Sequence, residues 1–371
     1  MSPPGRAWGA LGGAVAALAA TGAGIAVARS SRRISRERQL ATELAQLVDP
    51  GSYPTGEISS LVADDGVRLV CEEIPPSDGR RADLTVILVH GFALDRRTWH
   101  FQRRSLPQLV DPRVRVVLYD QRSHGESERA PRDTCTIDQL GRDLDAVIRG
   151  LASQDRLVLV GHSMGGMAVM ALAEQRPDLF ADRVVGVGLI STSAGEVASA
   201  GLPGTLLSRH NVLTRAVGVL ARWQPGFVES VRRAAGDLIW ALTRRYAYGD
   251  EYVDPSMVDL VDSMISANAV DALTDFVDSL NSHDRLAALP ALTRCEVLVA
   301  AGDADRVLPF RHSEVIAAEL PNATLLRLPG AGHMPMLEQP EVVDAALVEL
   351  VRRAARRRGG SVRRMRLRRR T

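Results

Sequence analysis

The chain has 371 residues, 46% hydrophobic and 24% charged, the proportions of an ordinary globular protein long enough to bury a full core. Its three cysteines, Cys71, Cys135 and Cys295, are odd in number, far apart and without CxxC spacing, so neither a disulfide framework nor a metal site is indicated. The formal charge of +2 hides a polarity: eleven arginines and no acid from Arg352 onward, and six arginines against one glutamate in residues 1–38, leave the body between them near −14.

Basic ends of this kind serve as solvated tails or as contacts to anionic lipid. Nucleic acid is not expected as a partner, because no aromatic-studded basic module accompanies the charge. Every basic residue is arginine, and no chemistry follows from that.

Residues 7–28 carry no charged side chain and are bracketed by Arg6 and Arg29. At about 1.5 Å per residue the run is long enough to cross a bilayer, but its alanine- and glycine-rich composition makes insertion marginal. Three readings stand: a single membrane anchor, a cleaved export signal ending at Ala26-Val27-Ala28, and a disordered or peripheral tail. Arg29, Arg32, Arg33, Arg36 and Arg38 on one side, against Arg6 alone on the other, favour an anchor with a cytoplasmic body.

From about Ile58 the pattern is α/β. Ser59–Val62 and Val67–Glu72 flank the turn signal Asp64-Asp65-Gly66 and predict a hairpin. Buried-strand candidates follow at Leu84–Val89, Val114–Tyr119, Leu157–Val160, Val184–Ile190, Val297–Ala301 and Thr324–Leu328. Amphipathic helices are predicted at Ile137–Leu151 and Glu314–Leu320, and a helix-compatible run at Met167–Gln175. The expectation is an eight-stranded, mostly parallel sheet with an antiparallel start, flanked by helices. Residues 194–285 break the rhythm and read as a helical cap inserted between strands. Their aromatics, among them Trp223, Trp240, Phe227, Tyr248 and Phe276, are expected to be mainly core. The core is bounded at 58–193 and 286–350, and residues 352–371 form the arginine-rich tail.

Chemistry concentrates at strand ends. Gly161-His162-Ser163-Met164-Gly165 joins a strand to a helix, and glycines on either side let Ser163 sit at the tip of a strained turn. A serine needs a base, and the base an orienting acid. The acid loop Gly302-Asp303-Ala304-Asp305 and the histidine loop Gly332-His333 follow in the order Ser, Asp, His. Either acid could reach His333. Asp305 is preferred, with Asp303 expected to cap the turn. Two backbone donors are needed for a tetrahedral oxyanion. Met164 and Phe92, the latter in His90-Gly91-Phe92, supply the candidate amides, and His90 is expected to be structural.

These motifs, together with Asp120-Gln121-Arg122-Ser123-His124-Gly125-Glu126-Ser127, resemble the α/β-hydrolase superfamily, in its serine-nucleophile branch with a helical cap, over residues 58–350. The resemblance implies a catalytic Ser163, Asp305 and His333, no cofactor or metal, and hydrolysis of a small acyl ester, lipid-like if the anchor is real. Thioesterase, amidase, C–C bond hydrolase and perhydrolase activities use the same triad. A non-catalytic ligand-binding role and a membrane-tethered scaffold remain as readings of another class. Relatives that open epoxides or remove halide use an aspartate nucleophile, which Ser163 argues against. Ser123 stands where the family usually has glycine, so the local loop geometry is expected to differ.

Overall fold

The computed structural model describes residues 56–197, 240, 242–249 and 253–357. The apolar run at 7–28 with its arginine flank, residues 198–239, 241 and 250–252 of the expected cap, and the tail beyond 357 lie outside the described residues. Among the described residues no helix is long and apolar enough to cross a membrane.

Eight strands form one sheet: β1 (Glu57–Val62), β2 (Arg68–Ile74), β3 (Leu84–Val89), β4 (Val114–Tyr119), β5 (Leu157–His162), β6 (Val184–Ile190), β7 (Glu296–Gly302) and β8 (Thr324–Leu328), in the order 1-2-4-3-5-6-7-8. β1 and β2 are antiparallel, as is the β2–β4 pair, and every later pairing is parallel. The expected hairpin and the six runs therefore all form strands, but Thr324–Leu328, expected to be buried, is mostly exposed because β8 is an edge strand. β3, β5 and β6 are buried along their whole length because helices cover both faces of the sheet. Alternation decides which face each residue serves. Ile87, Leu159 and Val187 pack on one side, and Val86, Leu88, Val158 and Val160 on the other.

The first face is covered by α1 (Ile137–Leu151) and α2 (Met164–Gln175), and α3 (Pro177–Asp182) follows directly. Thr136 caps α1 by accepting from Gln139 N, and Ile137, Leu140, Leu144, Val147 and Ile148 form its buried stripe. Between β6 and β7 lie α4 (Pro255–Ala267) and α5 (Val270–Asn281). Trp240, Tyr248 and Phe276 of this interval are buried, as the core reading of its aromatics expects. α6 (Arg311–Glu319) begins three residues before the run predicted from the sequence, and α7 (Pro340–Arg356) closes the other face. α7 carries three arginines of the sequence-defined tail into the fold, because Val351 just before them and Ala354 among them are buried against the sheet.

Among the fully enclosed charged groups is an arginine. The Arg122 side chain has no exposed surface, and its five N–H donors all find acceptors. Nε and Nη2 grip Asp143 (2.6 and 2.7 Å), Nη1 and Nη2 grip Asp65 (2.7 and 2.9 Å), and Nη1 also reaches Thr134 Oγ1 (2.8 Å). This ties the β1–β2 turn, the loop after β4 and α1 into one knot. Asp143→Ala leaves a buried guanidinium half-paired, so it is expected to destabilise the fold by about 3–5 kcal/mol, measured by urea unfolding.

Ser123, where the resemblance leads one to expect glycine, sits at a position that does require left-handed backbone (φ +62°). Its hydroxyl compensates, accepting from Ala130 N (3.0 Å) and Arg129 Nη1 (3.1 Å). Glycine would relieve about 1 kcal/mol of strain but orphan the buried Ala130 amide, a loss of about 1–3 kcal/mol. Ser123→Gly is therefore expected to lower stability by about 1 kcal/mol, and a raised unfolding midpoint would contradict this.

Candidate active site

The carboxyl ends of β3, β5, β7 and β8 lie along one edge of the sheet and place the candidate residues there. Ser163 follows β5 directly. Its φ of +51° and ψ of −119° are sparsely populated for any residue with a Cβ, so the turn is strained and must be held by its surroundings. The holding contacts are visible. Ser163 N donates to Ile190 O (2.9 Å), while Ser163 O accepts from Thr192 Oγ1 (2.7 Å) and Gly166 N (2.9 Å). A Cβ on Gly165 would stand 2.3 Å from Val89 O, and one on Gly161 2.5 Å from Gly165 C. The pentapeptide's glycines are thus required for close packing of β5, α2 and the end of β3.

The expected acid and base meet. His333 Nδ1 lies 2.8 Å from Asp305 Oδ2, with both residues buried. Asp305 Oδ1 accepts from Val307 N (2.8 Å) and Leu308 N (2.9 Å), so Asp305 caps its own turn while it binds His333. Asp303 does not cap that turn, contrary to the sequence expectation. Its Oδ1 accepts instead from Gly330 N (2.8 Å) and braces the histidine loop, because β8 brings Gly330 alongside the end of β7.

His162, beside Ser163 in the pentapeptide, donates from Nε2 to His333 O (2.9 Å). The two rings stand 4.9 Å apart, centroid to centroid, which brings the histidine loop next to the serine turn. His162 Nδ1 has no partner among the described residues, and burial pushes the ring's pKa well down, so the ring is neutral.

The loop after β3 reaches the same place. A Cβ on Gly91 would lie 3.2 Å from Ser163 Cβ and 2.7 Å from His162 Nδ1. Phe92 and Met164 therefore flank the serine. Among the described residues neither of their amides donates to a backbone acceptor, as expected for Met164 at the first position of a helix. His90 is structural, as the sequence suggested. Nδ1 donates to Gly91 O (2.7 Å), Nε2 accepts from Gln121 N (2.9 Å), and Gln121 Nε2 donates back to His90 O (2.7 Å). All five expected residues, Ser163, Asp305, His333, Phe92 and Met164, are thus gathered at one edge. Thr192 and Glu338, which also hold this geometry, carry no motif that would single them out, whereas His162 lies inside the pentapeptide.

Asp64, Asp65 and Asp143 form the one acidic cluster among the described residues with metal-like spacing. Arg122 already binds two of its carboxylates, and Asp64 accepts from Gln139 Nε2 (2.6 Å), so the cluster is an ion-pair knot.

Comparison with known proteins agrees with this architecture. The chain is similar to epoxide hydrolase A of Mycobacterium tuberculosis, 31% identical over 327 residues, covering 78% of this chain and 96% of the relative. Among solved structures it is similar to a thermophilic esterase from Thermogutta terrifontis, with a TM-score of 0.59, 27% identity, and coverage of 81% of this chain and 99% of the esterase. It shares the fold of a membrane phospholipase A at 19% identity and a TM-score of 0.58, covering 93% of this chain and 98% of that one. The model of the alpha/beta hydrolase family matches residues 86–346, and the chain belongs to that family.

Proposed function

We propose that this hydrolase cleaves carboxylic esters through an acyl-enzyme formed on Ser163. The observation that carries the reading is the 2.8 Å contact between His333 Nδ1 and Asp305 Oδ2 beside a serine in a strained turn. Because Nδ1–H is committed to Asp305, the lone pair of His333 is left on Nε2, the nitrogen a general base needs. In this reading Ser163 Oγ attacks the ester carbonyl as its proton passes to His333 Nε2. The Phe92 and Met164 amides receive the oxyanion. The alcohol leaves with the proton from His333, and a water activated by the same nitrogen then releases the carboxylic acid.

The epoxide hydrolase relative raises a different chemistry, which the nucleophile disfavours. A carboxylate that opens an epoxide forms an ester, and water can cleave an ester. A serine would form an ether and stall. Purified protein is therefore expected to hydrolyse p-nitrophenyl acetate and butyrate and to leave styrene oxide intact. Diol formation from styrene oxide without ester turnover would overturn the assignment.

Lipid-like esters are favoured if residues 7–28 anchor the chain and the arginine ends meet anionic lipid. Fractionation of the full-length chain against one starting at Ile58 tests the anchor, and finding both in the soluble fraction would refute it.

A further inference from the structure

The loops carrying Asp305 and His333 are both stitched to one short turn from the segment between β6 and β7. Residues 242–247 are helical, and the chain continues through Tyr248 and Gly249. Ala247 O accepts from His333 N (2.9 Å) and from Met334 N (3.1 Å). Arg306, next to Asp305, donates from Nη1 to Arg245 O (3.0 Å) and Tyr248 O (2.9 Å). The contact is main chain on main chain: a Cβ on Gly249 would stand 2.2 Å from Gly330 O, and one on Gly332 2.5 Å from Tyr248 C.

Glu338 closes this assembly. Its Oε1 accepts from Gly332 N (2.8 Å), directly before His333, and its Oε2 accepts from Gly249 N (2.8 Å). One carboxylate thus bridges the histidine loop and the inserted turn, and both N–H groups would otherwise be left without acceptors at a tight seam. The His333 main chain is consequently held on three sides: at its own N–H by Ala247, at its carbonyl by His162, and at the preceding amide by Glu338.

We propose that Glu338 is a positioning residue, which locks the Arg245–Gly249 turn onto the histidine loop and so fixes the His333 ring between Asp305 and Ser163. This rests on the reading of those three residues as a triad. It makes the segment between β6 and β7 part of the alignment of acid and base.

Glu338→Gln, nearly isosteric, tests it. The amide keeps one acceptor oxygen and turns an NH2 group toward the other N–H, so one of the two bonds is lost and replaced by opposed donors. With p-nitrophenyl acetate, kcat is expected to fall about 10- to 100-fold with KM within about threefold, since misplacement of a base by a fraction of an ångström acts on the chemical step. The low-field proton NMR signal of His333 Nδ1–H bound to Asp305 is expected to shift or broaden in the same variant. An unmoved resonance, or a raised KM at unchanged kcat, would overturn the proposal. The resonance needs no turnover, so it judges Glu338 even if the wild-type chain hydrolyses no ester and the triad reading fails.

Discussion

Replacing Ser163 by alanine is expected to lower kcat for p-nitrophenyl acetate by about 10⁴- to 10⁶-fold, or roughly 5–8 kcal/mol of barrier. The size follows from what is removed. Without Oγ there is no covalent intermediate, and water must attack the carbonyl in its place. The Phe92 and Met164 amides remain, so a residual rate above the uncatalysed one should persist. His333→Ala is expected to cost about as much, because the hydroxyl is a weak nucleophile without its base. The double variant should be no worse than either single one, since residues that act as a unit are non-additive. Steady-state kinetics on variants with unchanged unfolding midpoints check this. A loss under tenfold for Ser163→Ala would show that the ester is cleaved elsewhere.

The second large effect is on stability in acid. His90, His124, His162 and His283 are buried, and in each burial disfavours the charged ring and lowers the pKa, to about 3 for His124 and about 4 for His283. Unfolded, each would titrate near its ordinary 6.5. The unfolded chain therefore binds more protons below that pH. The stabilising contribution is complete above about pH 6.5 and is lost as pH falls toward the folded values. Between pH 7 and pH 5 His124 and His283 cost about 2 kcal/mol each, about 4 kcal/mol together, and His90 and His162 act in the same direction. Asp143 and Glu338, whose carboxyls are raised by burial, act oppositely, but their window opens only near the carboxylate range. Against a typical stability of about 5–15 kcal/mol this is a large fraction. Urea midpoints should fall steeply from pH 7 to pH 5, and His283→Asn should flatten the slope by about one proton. A midpoint independent of pH across that range would contradict this reading.

Much of this was legible in the sequence because the signals are local. A buried parallel strand must be a short aliphatic run, so β3 to β7 announce themselves, and the Ser163 turn sits between one such run and a helix. Asp305 and His333 stand out in the sequence because each follows a strand in a glycine-bearing loop, and the structure brings the two side chains to 2.8 Å. What escaped depends on contacts between distant segments. Arg122 finds Asp65, Thr134 and Asp143 only after β1–β2, β4 and α1 have packed, and no spacing encodes that. Asp303 looked like a turn cap because sequence shows its own turn and not Gly330 across the sheet. Thr192 reaches the Ser163 carbonyl from the loop after β6, and Glu338 reaches Gly249 across 89 positions. Of the expected cap, residues 194–197, 240, 242–249 and 253–285 are described, and they meet the candidate site through Tyr248 and Gly249.

The most direct test of the central claim is the mass of the protein after treatment with a fluorophosphonate, followed by peptide mapping. A serine activated by His333 should take up one phosphonyl group on the peptide containing Ser163, and prior incubation with a slowly turned-over ester should block it. No adduct, or an adduct on another residue that persists in Ser163→Ala, would contradict the assignment of Ser163 as the nucleophile.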